Sequence, residues 1–149
     1  MQLVSGILTI PLRGVVAGDK WRASRQKLLD AIDRGVRAVV VDTTRAVLAL
    51  GCADMQGSRR ELGEMSAILG VRPVAYVCSS VYEPLLQRHA FSLAAAGLYC
   101  RVFTEIGPAL EWGLSGAGHV APRRVAGEGV ARSGYRVRAA AGQAQPRAL

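Results

Sequence analysis

The chain reads as an α/β layer protein with about four mostly parallel strands and four helices, followed by a disordered C-terminal tail. Three observations predict this. Short apolar runs alternate with helix-period segments, the pattern of parallel strands joined by right-handed crossovers. Ala38-Val39-Val40-Val41-Asp42 is a continuous, mostly β-branched run, as expected of a strand covered on both faces. Arg101 to Trp112 reads as a last edge strand running into a closing helix, and apolar periodicity stops after it.

Ile7 to Leu12 is the first main strand, and Leu3-Val4 can add a short strand before it across Ser5-Gly6. Pro11 lacks a backbone N–H, so it implies a sheet edge or a bulge. Gly14 to Gly18 reads as the turn out. Asp19 to Arg34 is a helix with Trp21, Leu28, Leu29 and Ile32 near one face, Asp19 as N-cap and Gly35 at its end. The buried strand through Asp42 follows. Thr43 to Ala53 reads as a long loop with an apolar middle, Ala46 to Leu50.

Asp54 to Leu69 is the second helix, with Met55, Leu62, Met65 and Leu69 at helical spacing and Gly70 closing it. Arg72 to Cys78 is the third main strand. Ser79 or Ser80 caps a third helix that runs to about Ala96; Glu83, three residues after Ser80, completes a capping box, and Pro84 fits the first turn. Tyr99 to Phe103 alternates as an edge strand should. Thr104 caps the fourth helix, in which Leu110 and Trp112 supply an apolar side.

The domain therefore spans residues 1–113, and 114–149 form a basic Ala/Gly/Arg-rich tail without an apolar period. The net charge of +8 divides as +3 in the domain and +5 in the tail. Nucleic acid is thus not expected as a partner except through the basic tail, where Arg123-Arg124 and Arg136-Val137-Arg138 are the charge groupings. No apolar run is long enough for a membrane span, and the first residues do not have the pattern of a secretory signal. Three cysteines, Cys52, Cys78 and Cys100, match no zinc spacing, and the odd count suits reduced thiols in a cytoplasm.

The opening strand leading to Gly14-Val15-Val16, the strand Arg37 to Asp42, and Arg101 to Glu105 followed by Ala109-Leu110-Glu111-Trp112 together resemble the STAS superfamily. This superfamily contains sulphate transporter and anti-sigma-factor-antagonist domains, and the closer likeness is to its SpoIIAA-like branch. The likeness covers roughly residues 3–113. It implies a non-enzymatic regulatory domain that meets protein partners near the start of its second helix. Phosphorylatable antagonists carry an Asp-Ser-Ser/Thr-Gly-type segment there. Here the neighbourhood is Leu50-Gly51-Cys52-Ala53-Asp54, with no hydroxyl between Thr44 and Ser58, so no phosphoserine is carried over.

Two sets of residues are candidate sites. Open α/β sheets usually place ligands at the carboxyl ends of their strands, which here are Asp42, Thr43 and Thr44, then Ser79 and Ser80. The bland alternative makes these hydroxyls helix caps and turn formers. The partner-binding candidate is Val47 to Arg59, with Val47, Leu48, Leu50, Cys52, Met55 and Arg59 as its contacts. The expected partner is another protein or a second copy of the chain. A small apolar or anionic ligand, under a lid made by the apolar loop, is the second reading; SpoIIAA-like domains resemble the lipid-transfer CRAL-TRIO fold.

No catalytic residue, metal or cofactor is expected. Cys78 and Cys100 read as core, and Cys52 has no histidine near it in sequence. His89, beside Arg88, reads as a surface residue, and His119 falls in the tail. The chain is expected to be cytoplasmic.

Overall fold

The structure, a computed structural model, describes residues 1–32 and 35–116. Asp33, Arg34 and the tail from residue 117 onward lie outside the described residues. Five strands form one sheet: β1 (Gln2–Val4), β2 (Ile7–Val16), β3 (Ala38–Leu48), β4 (Val74–Val77) and β5 (Cys100–Phe103). Their spatial order is their chain order. β1 runs antiparallel to β2, and every other pair is parallel. The strand count is therefore five: Leu3 and Val4 make a real edge strand, turned back through Ser5 and Gly6.

The helices are α1 (Gly18–Ala31), α2 (Cys52–Gln56), α3 (Arg59–Leu69), α4 (Glu83–Ala95) and α5 (Ile106–Gly116). Right-handed crossovers between sequential parallel strands place α1, α3 and α4 on one face. The core there joins Trp21 and Leu28 of α1, Met65 and Leu69 of α3, and Leu86 and Leu93 of α4 to Leu8, Ile10, Val39, Val41 and Tyr76. The alternate strand residues Ile7, Ala38, Val40, Ala75 and Val77 face the other way, onto Ala109 of α5. Here the chain must come close: a Cβ on Gly113 would lie 3.3 Å from Ala38 Cβ. Trp112 flanks this contact half-buried, its ring 4.9 Å from Tyr99 and 5.6 Å from Phe103. α5 runs to Gly116, beyond the expected domain end at Gly113.

Five local expectations are corrected. Gly14 to Val16 is strand, not turn, because β2 continues past a register shift between Pro11 and Arg13. Thr43 to Leu48 is likewise strand, not loop. Val16 pairs with Leu48, so β2 and β3 project together beyond the end of β4, which reaches only to Asp42. The expected helix Asp54–Leu69 is two helices. Gly57, at φ +66° and ψ 166°, breaks it, and Ser58 restarts it with a capping box: Glu61 N–H donates to Ser58 Oγ (3.2 Å) and Ser58 N–H to Glu61 Oε2 (2.6 Å).

The fourth correction concerns α4. Ser80 to Tyr82 form a 3₁₀ turn, Tyr82 is the N-cap of α4, and neither Ser79 nor Ser80 caps it with a side chain. In α1 the N-cap is Ala17, with Asp19 in the first turn instead.

Candidate functional site

Strand ends position the first set of candidate residues. Asp42 pairs with Val77, the last residue of β4, so past this point β3 continues with β2 but without β4. Thr43 is fully buried and its hydroxyl donates to Val77 O (2.9 Å), satisfying a carbonyl at the strand end. Asp42 Oδ1 accepts from both Thr44 N–H (3.0 Å) and Thr44 Oγ1 (2.7 Å). Ser79 and Ser80 are exposed a few residues beyond Val77. The hydroxyls of Thr43 and Thr44 and Oδ1 of Asp42 are thus occupied within the fold, as turn and strand-end partners are.

The second set is divided by the pleat. Val47 is 55% exposed, whereas Leu48 is only 8% exposed and sits in the core with Met55. Leu50 is half-buried against the same core, and Arg59 is exposed at the start of α3. Cys52 opens α2, and its side chain lies outside the described set. A single apolar surface from Val47 to Arg59 therefore does not form, because period-two alternation sends neighbours to opposite faces.

The projecting ribbon of β2 and β3 does assemble a patch. Arg13 pairs with Arg45 and Val15 with Val47, and all four side chains are exposed. Val15 is 63% exposed. Paired residues two apart on both strands share a face, so two valines and two arginines form one small surface. Sequence reasoning found Val47 but missed Val15, because its stretch read as a turn.

Beneath the other face, Trp21, Tyr76 and His89 meet in the core. The His89 ring lies edge-on to Trp21 (5.4 Å) and to Tyr76 (5.2 Å). His89 is buried rather than on the surface as expected. Its Nδ1 hydrogen-bonds Met55 O, so Nδ1 carries the proton and Nε2 accepts from Tyr76 Oη at 3.2 Å. Burial holds the imidazole well down, at about 4, against the opposing effect of the Met55 bond, while the Arg25 charge lowers it further. Burial likewise raises the Tyr76 hydroxyl far above its ordinary value. The pair is a neutral hydrogen-bonded strut at physiological pH.

A cavity of about 20 Å³ adjoins this cluster, lined by Trp21, Ser24, Arg25, Tyr76 and His89 among others. That is room for about one water molecule. Among the described residues, Trp21 Nε1 is the buried side-chain polar atom without a hydrogen-bond partner. The described thiols, Cys78 and Cys100, are not activated. Burial pushes half-covered Cys100 up to about 12 and raises Cys78, where Glu83 adds to the effect.

Ion pairs tie the helices around the cluster: Arg22 to Asp54 (3.7 Å) and Arg25 to Glu61 (3.8 Å). Hydrogen bonds from Ser58, with Arg25 and Arg22 nearby, hold the Glu61 carboxyl below its usual range. Among the described residues no group of three or more His, Cys, Asp or Glu side chains is placed to hold a metal, and no helix is long and apolar enough to cross a membrane.

Comparison of the chain with known protein families, with curated proteins and with solved structures finds no match.

Proposed function

We propose that this domain is a non-enzymatic, cytoplasmic regulatory module of the STAS kind, which works by binding another protein through the projecting β2–β3 ribbon. The observation that carries this reading is the paired exposure of Val15 and Val47 beside Arg13 and Arg45. Apolar side chains fully outside the core, on a rigid two-strand extension, are suited to contact with a partner. The free thiols of Cys78 and Cys100 support a reducing compartment. The use of His89 and Tyr76 as a buried strut supports a structural rather than a chemical role for the side chains best able to move protons.

The carrier reading draws less support. The cavity in the core holds about one water, far less than an acyl chain needs, and the hollow of about 320 Å³ between α1 and α3 is lined mostly by charged and polar residues, Arg22, Arg25, Gln26, Glu61 and Glu64. Native mass spectrometry of the protein purified from its own host tests the choice. A protein partner retained by the wild type and lost from Val47→Glu upholds the proposal. A retained small molecule, unaffected by Val47→Glu, overturns it in favour of the carrier.

A further inference from the structure

The same ribbon has a free edge. β1 covers β2 only at Ile7 to Thr9, so the stretch from Ile10 to Val16 has β3 on one side and no strand on the other. Lys20 Nζ donates to Arg13 O (2.7 Å) and to Val15 O (3.2 Å). These carbonyls are two residues apart, while the intervening pairing turns toward β3; Val16 O, one step further, accepts from Ala49 N–H on the β3 side. In a parallel strand a residue whose carbonyl points outward also points its N–H outward. Arg13 and Val15 therefore present a short, unpaired ladder, of which a lysine ammonium occupies the carbonyl half. Unpaired edges are templates for another strand, and lysine is a usual guard of them.

A groove of about 260 Å³ runs between this edge and α1. Its helical wall presents Lys20, Ala23 and Lys27, spaced as one stripe of the helix, and Arg13 borders it from the strand. Among the described residues no acidic side chain lines it.

We propose that the β2 edge binds an extended acidic segment of a partner protein as an added strand. This rests on the protein-interaction reading above and names the partner's chemistry. The incoming backbone replaces the Lys20 ammonium at the Arg13 and Val15 carbonyls, and the released Lys20, with Lys27, pairs with the segment's carboxylates. Main-chain bonds supply the docking, and charge supplies the selection. Charge also argues against the other occupants. A second copy would bring the same cations to the edge, and the chain's own residues 114–149 carry six arginines and one acid.

The test uses the full chain and three fluorescent eight-residue peptides: a Glu-Val repeat, a Lys-Val repeat, and the Glu-Val repeat with every backbone amide N-methylated. Fluorescence anisotropy is expected to show saturable, salt-sensitive binding of the Glu-Val peptide alone. Lys20→Glu and Lys27→Glu, each checked by circular dichroism to be folded, should each weaken it about tenfold. Absence of binding at millimolar peptide overturns the proposal. Equal binding of the N-methylated peptide also overturns it, by showing charge attraction without strand addition. Val47 lies on the face rather than the edge. Should Val47→Glu lose its host partner while the wild type ignores all three peptides, the protein-interaction reading stands and the acidic-strand inference falls.

Discussion

His89 in α4 reaches across the core to the main-chain carbonyl of Met55 in α2. One side chain thereby satisfies a buried backbone acceptor at the end of a five-residue helix and receives the hydroxyl of Tyr76 on β4. Three elements far apart in sequence are joined at one imidazole.

Replacing His89 by Phe should keep the volume and lose both bonds. Leaving the Met55 carbonyl and Tyr76 hydroxyl unpaired costs about 1–3 kcal/mol each when they stay dry. The expected result is a clear fall in the urea midpoint with little change in the far-ultraviolet circular dichroism. An unchanged midpoint would show that the imidazole bonds add nothing to stability.

The same residue should make the domain acid-sensitive. The unfolded chain takes up a proton on His89 near pH 6.5, whereas the folded chain resists until about pH 4. The stability due to neutral His89 is therefore fully present above pH 6.5 and lost as pH falls from 6.5 to 4. The loss amounts to about 3 kcal/mol. Urea unfolding at pH 7 and pH 4.5 should show a larger drop for the wild type than for His89→Phe. Parallel pH profiles for the two would refute the assignment.

Val47 and Leu48 are neighbours with opposite fates. Val47→Glu places a charge in solvent and should change stability by less than about 0.5 kcal/mol. Leu48→Glu buries that charge and should cost several kcal/mol, enough to unfold the domain. Thermal melts of both variants check the register of β3. Equal melting temperatures would mean that the Thr43–Leu48 segment is not the strand seen here.

Gly18 is required for a different reason. A Cβ there would collide with Asp54 Oδ1 and stand 2.6 Å from its Cγ. That carboxylate accepts from Gly51 N–H (3.0 Å) at the start of α2 and faces Arg22. Gly18→Ala should push it away, uncap α2 and cost about 1–2 kcal/mol, despite the better helix propensity of alanine. A stabilised variant, by differential scanning calorimetry, would show that α2 does not dock against the start of α1.

Much of the architecture was legible along the chain. The β-branched run at Val39–Val41, the helix stripes of Trp21/Leu28 and Met65/Leu69, and the closing strand and helix each carry their period locally. Pro11 announced the register shift. The candidate site was less legible. Val15 is hidden in a Gly/Val stretch that reads as a turn, since its strand character comes only from pairing with Val47, 32 residues away. Arg88-His89 looks like surface because charge neighbours it in sequence. The helix turns His89 inward, where Tyr76 and Met55 supply the bonds that let it be buried.

The sequence by itself determined the α/β class, the location of most elements and the layered core, because hydrophobic period and turn residues act over a few positions. The tertiary structure alone decided how far β2 and β3 extend, which face each residue of the ribbon takes, and which edge stays open. Those depend on parallel pairing between distant segments, where shifting the register by one residue exchanges the two faces. The open edge, guarded by Lys20, lies past Thr9, because antiparallel β1 meets β2 with Val4 opposite Ile7 and Gln2 opposite Thr9 and so covers only that stretch.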